Sequence, residues 1–322
     1  MSHKLAFSTL IRQSLLSDKV QHRLRVYDSG TQNITDYISS GKQVRPLMFL
    51  YVYSALSGKM ISSLHVKSTV CAIEIAHRST LVSDDVADNQ VERNNRPSIY
   101  GLMGLSVASL SSQFLQTIAM DICPKKYRSC LNTAIYDTMN GQLKQVFTNP
   151  DKLAVALRDY REIVCLKSGS IGRFAIAAGF LMAKRPVPPE IDELSENLAM
   201  AYQVCNDLAD VMVWLQKGDD ELIADVKQGS MSFPLLIAMG YHHKPEFLLK
   251  LYQNKQIADM KIFRELFEKH PIIEDSLDQV RGFIENSKRI LYSLLPINEY
   301  STELTQYLLD KWVIVYSTKE KI

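Results

Sequence analysis

Apolar residues in this chain recur every three or four positions over long stretches, and strand-like alternation is absent. That period belongs to amphipathic helices. From Val66 to Asp85 the pattern falls on Val70, Ile73, Ile75, Ala76 and Leu81. From Pro189 to Trp214 it falls on Ile191, Leu194, Leu198, Ala201, Val204, Leu208 and Val211. The Lys152 to Lys184 stretch repeats the pattern. Its second half, Ile171 to Met182, is apolar on nearly every side, as suits a helix inside a bundle. Glycine and proline number only 13 and 11, too few to punctuate a β fold of this length. Breaks are expected near Gly41, at Asn94–Pro97, at Pro186–Pro189 and at Gly229–Pro234. No linker, repeat or low-complexity tract interrupts the run. The expectation is one all-α domain over residues 1–322, built from about ten or more helices.

Composition excludes several functions. With 46% hydrophobic residues the chain can bury a substantial core, and a net charge of +2 leaves no basic footprint for nucleic acid. Cys71, Cys123, Cys130, Cys165 and Cys205 are scattered and lack C-x-x-C spacing. They suggest neither a disulfide framework nor a zinc site, but buried free thiols in a reducing compartment. Met1–Asp18 carries charge and lacks a signal-peptide core, and no window holds 18 uninterrupted apolar residues. A cytoplasmic protein without a membrane span is therefore expected.

The chemistry is concentrated in two acidic turns. In Glu74-Ile-Ala-His77-Arg-Ser79-Thr80-Leu-Val-Ser-Asp84-Asp85-Val-Ala-Asp88, the first and last aspartates lie four apart, on one helical face, with Asp85 beside them. Three acids on one turn repel each other unless a cation joins them. Magnesium prefers oxygen and is usually held by one or two carboxylates plus substrate phosphates. Alone, such a turn is more often a solvated helix end. The spacing returns in Gln203-Val-Cys-Asn206-Asp207-Leu-Ala-Asp210, again on an amphipathic helix. Two such helices facing each other would clamp a diphosphate through bridging metal ions, above a dry pocket lined by the preceding apolar residues.

Further segments fall in an order that resembles the trans-isoprenyl diphosphate synthases, or polyprenyl synthetases, from about Gly41 to Pro234. Gly41-Lys42-Gln43-Val44-Arg45-Pro46 is similar to that family's G-K-x-x-R-P segment. His77 stands seven residues before Asp84, and Arg93 five after Asp88. Gly141-Gln142, Lys167-Ser168 and Gln203 match further positions, and Asp225, Gly229 and Pro234 fall in register with D-L-x-x-G-K-x-T-x-P. The resemblance implies an isoprenoid synthase-type helical bundle with a central cavity, and a transferase that is typically a dimer. Lys42, Arg45 and His77 would hold the diphosphate of isopentenyl diphosphate. Asp84, Asp85, Asp88, Asp207 and Asp210 would hold Mg2+. Arg93, Lys167, Ser168 and Gln203 would contact an allylic diphosphate. Ser79 and Thr80 would lie one turn below the metals, along the growing chain. Both are small, where a bulky aromatic would floor the pocket, so the implied product is C20 or longer. No protein nucleophile is needed, and the sequence shows no nucleophilic triad.

Departures from the family pattern cluster in the second half. Arg93-Asn94-Asn95 stands where the family has Arg-Arg-Gly, and Asn206 where it has Asp. Asp219-Asp220 replaces one Gly-Lys and Gly229-Ser230 another, although Lys217 is close. Three readings follow: a working chain elongase; a specialised relative, such as a pheromone-peptide prenyltransferase or a terpene cyclase; and a non-catalytic partner subunit of a heteromeric synthase. Retention of Lys42, Arg45 and His77 favours the first, since only elongation needs isopentenyl diphosphate.

Overall fold

The computed structural model describes residues 3–24, 28–60, 62–93, 96–217, 230–253 and 259–317. The all-α expectation holds: the structure is 82% helical, and its strands among the described residues are two of two residues each. The chain forms two compact units.

The first unit comprises Met1–Met139, Ser170–Asp192 and Leu291–Gln306. It contains α1 (His3–Leu15), α2 (Asp18–Leu24), α3 (Asp28–Ser39), α4 (Val44–Ser57), α5 (Leu64–Ala87), strands β1 (Glu92–Arg93) and β2 (Arg96–Pro97), and α6 (Ile99–Ile122). It also contains the start of α7 (Arg128–Phe147) and all of α9 (Ser170–Met182). Helix α4 is buried without interruption from Pro46 to Ala55, so it runs through the core rather than over it. It packs mainly against α9, and α5 packs along most of its length against α6. Val66, Val70, Ile73, Ile75 and Val82 of α5 are fully excluded from water. Each contributes about 1.5–3 kcal/mol by the usual area relation. Ser63 caps α5 by accepting from Val66 N (3.3 Å), and Ser98 caps α6 by accepting from Gly101 N (2.9 Å). Such caps stabilise by about 1 kcal/mol each.

The second unit comprises Asn140–Gly169, Glu193–Ile290 and Tyr307–Ile322. It holds the end of α7, α8 (Leu153–Val164), a π-helical turn at Cys165–Gly169, and most of α10 (Ile191–Lys217). It continues with α11 (Phe233–Gly240), α12 (Pro245–Gln253), α13 (Asp259–Lys269), most of α14 (Ile272–Leu294) and the end of α15 (Glu299–Ser317). Val204, Leu208 and Trp214 of α10 meet Tyr160, Phe233, Leu236, Phe263 and Val280 in one core.

The sequence-read helices appear with small shifts at their ends, and the expected breaks near Gly41 and at Pro186–Pro189 fall between helices, as do Arg96 and Pro97; Asn94 and Asn95 lie outside the described residues. Gly229 lies outside the described residues. The π turn was not foreseen. Leu153–Met182 is long and apolar enough, by composition alone, to cross a bilayer, but 67% of its most apolar window is buried inside the protein. Its hydropathy is that of a core helix. The cysteines are all free, and Cys71, Cys123 and Cys205 are buried as expected; Cys130 is exposed and Cys165 half-buried.

Candidate active site

The first acidic turn closes α5. Asp84 is half-buried, Asp85 is fully buried, and Asp88 is the C-cap residue, its N–H bonded to Asp84 O. Arg93 ends β1 and pairs with Arg96 of β2, and its side chain reaches back to the end of α5. Arg93 Nε donates to Asp85 Oδ1 (2.7 Å), and Arg93 Nη2 donates to Asp84 Oδ2 (3.0 Å) and Gln90 Oε1 (3.3 Å). The repulsion expected of adjacent acids is thus relieved by a guanidinium that bridges them. Burial nevertheless raises Asp85 to about 6; Arg93 opposes that shift and Asp84 adds to it. Asp85 Oδ2 is buried and meets no hydrogen-bond donor among the described residues. Hard oxygen donors and one unsatisfied carboxylate oxygen suit a small divalent cation. Among the described residues no three acidic, imidazole or thiol side chains converge to ligate one ion. A cation here would therefore complete its shell with phosphate or water oxygens.

Two turns before Asp84, His77 Nε2 lies 2.8 Å from Arg45 Nη1. Arginine can only donate, so Nε2 accepts and the imidazole is the neutral Nδ1–H tautomer. Burial and then Arg45 lower the His77 pKa well below the ordinary value, in agreement with that assignment. Lys42 is exposed just before α4. Thr80 Oγ1 donates to His77 O (2.8 Å), and Ser79, fully buried, faces the α5–α6 contact, where Ser112 Oγ donates to its carbonyl (2.9 Å).

In the second unit α10 divides its acidic turn between two faces. Asn206 and Asp210 are exposed, whereas Asp207 is 1% exposed. Asp207 Oδ2 accepts from Tyr160 Oη (2.7 Å) and Phe233 N (2.8 Å), and its Oδ1 accepts from Gln203 Nε2 (2.8 Å). Burial raises this carboxyl to about 6, and those three donors oppose the shift. Asp207 thus ties α10 to α8 and to the first residue of α11. The open face of this turn carries one amide and one carboxylate.

The π turn presents Lys167, whose Nζ donates to Gln145 Oε1 (2.6 Å), and Gln145 Nε2 donates to Ser230 Oγ (2.6 Å). Short π segments inside longer helices are frequent at functional sites. Gly141 permits this approach: a Cβ there would fall 2.7 Å from Leu166 Cβ and 2.9 Å from Lys167 N. Ser168 is half-buried in the same turn.

The structure therefore brings Asp84, Asp85 and Arg93 together, and Arg45 with His77, in the first unit. In the second it groups Gln203 with Asp207 and Lys167 with Ser230. Asn94, Asn95, Asp219, Asp220, Asp225 and Gly229 lie outside the described residues. Sequence reasoning missed Gln145, which the spacing of the motifs does not mark. It also missed Glu74 and Arg78, a charged pair whose signal was its place inside the apolar run of α5.

A family model for polyprenyl synthetases matches residues 29–269. A short-chain isoprenyl diphosphate synthase from Methanocaldococcus jannaschii is 22% identical over 80% of this chain and 82% of its own. Among solved structures, the heptaprenyl diphosphate synthase of Staphylococcus aureus superposes with a TM-score of 0.80 at 17% identity, covering 96% of this chain and 98% of that one. A polyprenyl synthase from Caulobacter crescentus, solved with calcium and isoprenyl diphosphate, gives 0.75 at 22% identity, covering 97% and 94%. The fold is thus the all-α isoprenoid synthase fold that the order of motifs implied, and with its family model matched over most of its length the chain belongs to the polyprenyl synthetase family.

Proposed function

We propose that this chain is a magnesium-dependent prenyltransferase that condenses an allylic diphosphate with isopentenyl diphosphate, releasing pyrophosphate and giving a polyprenyl diphosphate of C20 or more. The observation that carries this reading is the Asp84–Asp85–Arg93 cluster: two carboxylates bridged by a guanidinium, with Asp85 Oδ2 buried and without a hydrogen-bond donor among the described residues. Such a cluster already neutralises charge by exchangeable contacts. Asp84, Asp85 and Asp88 would hold Mg2+, whose chemistry is to neutralise the departing diphosphate. Asp210 and Asp207 belong to the same proposal in the second unit, although the hydrogen bonds of Asp207 favour a supporting part. Arg93 offers a planar fork matched to phosphoryl oxygens. In the second unit, Lys167 offers a cation for phosphoryl oxygens, with Ser168 and Gln203 as neutral donors. Arg45, beside neutral His77, and Lys42 would take the second diphosphate.

Ser79 and Thr80 are small, which supports a long product, since neither carries a bulky ring below the acidic turn. The calcium and isoprenyl diphosphate of the Caulobacter structure support a divalent cation acting with a prenyl diphosphate in this fold. On α6, Leu102, Leu105 and Leu110 are 52%, 60% and 66% exposed, apolar surface that supports pairing of two copies. Free cysteines suit a cytoplasmic setting. The test is to incubate pure protein with Mg2+, farnesyl diphosphate and isopentenyl diphosphate and to weigh the products. Masses rising in steps of one isoprene unit support elongation. No elongation by the protein alone, with activity appearing only when cell extract is added, overturns it.

A further inference from the structure

The residue after His77 is an arginine whose side chain is 10% exposed. Arg78 Nε donates to Glu74 Oε1 (2.8 Å), one turn back on α5, and Arg78 Nη2 donates to Ser40 O in the turn between α3 and α4. Its guanidinium carbon stands 5.5 Å from the ring centroid of Tyr37 on α3, within cation–π range. A side chain at Gly41 would overlap this guanidinium, and Gly41 has φ +83°, a conformation other residues rarely adopt. Gln43 also lies in the left-handed region, at φ 50°, and its side chain does not cap α4. The turn therefore needs glycine at Gly41, holds Gln43 in a costly left-handed conformation, and is not secured by a side-chain cap on α4.

Consecutive residues of α5 thus grip both ends of one segment. Arg78 holds Ser40, and His77 meets Arg45. Lys42 lies between them. Stability alone gives little reason for a buried Glu74–Arg78 pair, because burying two charges costs roughly what their attraction returns. Glu74 is fully buried, and its Oε2 has no hydrogen-bond donor among the described residues. Such a pair is retained more readily for the geometry it fixes.

We propose that Arg78 is a positioning residue that fixes the Ser40–Gly41–Lys42 turn to α5, and so sets Lys42 and Arg45 for the diphosphate of isopentenyl diphosphate. This rests on the functional reading above, and it adds a residue that never touches substrate. It separates two properties that a general loss of structure would move together. Loosening the turn should weaken use of isopentenyl diphosphate and leave use of the allylic diphosphate unchanged, since the allylic contacts proposed above lie outside residues 40–45.

The informative variant is Glu74→Leu with Arg78→Met, which removes both charges and leaves neither buried alone. Arg78→Lys is the conservative companion, a point cation unable to serve Glu74 and Ser40 with a planar fork. Two quantities are measured: the Michaelis constants for both substrates, and amide hydrogen exchange over residues 40–46. The proposal expects exchange in that segment to rise about tenfold or more in the double variant. It expects the isopentenyl diphosphate constant to rise by a similar factor, with the allylic constant within about twofold of wild type, because small misplacements of a positioning group cost on this scale. Arg78→Lys should fall between, and it decides the matter by the same readings if the double variant does not fold. Unchanged exchange over 40–46, or a parallel rise in both constants, overturns the proposal. If wild type does not use isopentenyl diphosphate, the functional reading fails while exchange still decides whether Arg78 holds the turn.

Discussion

The two acidic turns share a spacing and differ in what satisfies them. In the first, Asp84 and Asp85 are joined by Arg93, a long side chain reaching back from β1. In the second, Asp207 is locked by Tyr160, Gln203 and the backbone of Phe233. A guanidinium can leave a carboxylate for a phosphate at modest cost, because it exchanges one charge-assisted contact for another. A backbone N–H at the start of a helix can leave only if the helix moves. Equal spacing thus conceals one turn built for exchange and one whose central acid is built into the core. On the second turn only Asn206 and Asp210 remain open.

The largest expected effect separates function from stability. Asp84→Ala or Asp85→Ala should lower turnover about 100-fold or more, the scale of removing charge stabilisation at a leaving group. Asp207→Ala should instead act on folding, costing about 2–4 kcal/mol by stranding the Phe233 N–H and the Tyr160 hydroxyl. Steady-state rates and urea midpoints on the same variants test the contrast. Equal destabilisation by Asp85→Ala and Asp207→Ala would erase it.

Next in size is repair of the open face. Asn206→Asp places a second carboxylate beside Asp210 and should raise turnover, or lower the allylic Michaelis constant, about tenfold, since a charge-assisted contact is worth roughly 1.5–3 kcal/mol. Ser230→Lys should return less, because it must first displace the Gln145 amide from its hydrogen bond. A larger gain from Ser230→Lys would reverse this ranking.

Thr80→Phe probes the first turn again. It fills space one turn below Asp84 and should shorten the product by at least one isoprene unit. An unchanged product spectrum by mass removes Thr80 from the control of length.

The smallest effect is a pH slope. Burial holds Asp207 at about 6 against a usual 3.8. A carboxyl raised on folding costs stability as it ionises, so the penalty is absent below the unfolded value and complete above the folded one. Asp207→Asn is uncharged throughout. It should gain stability relative to wild type as pH rises from about 4 to about 6, and hold a constant difference above that. Melting temperatures of the pair across this interval check the sign, and a gain on acidification contradicts it.

Much of this was legible in the sequence, and the reasons differ by element. Helices α5 and α10 were readable because burial imposes a 3.6-residue period on long runs. The Asp84 face was readable because helical spacing fixes which side chains share a turn. The division of Asn206 and Asp210 from Asp207 was not, since it depends on which face of α10 meets Tyr160 and Phe233, residues distant in sequence. The π turn at Lys167 was also hidden, because a single inserted residue leaves the apolar pattern of α8 and α9 nearly intact. Arg78 was passed over for a simpler reason: beside an aspartate motif, a lone arginine reads as surface charge until its burial is known.

The central claim is that the first acidic turn works by holding a divalent cation together with an allylic diphosphate. Its most direct measurement is calorimetric binding of a non-hydrolysable farnesyl diphosphate analogue to wild type and to Asp85→Ala, with and without Mg2+. The account predicts that Mg2+ tightens binding to wild type by about tenfold or more, the scale of one recovered charge-assisted contact, and changes little in Asp85→Ala. Equal tightening in both proteins, or none in wild type, would contradict it.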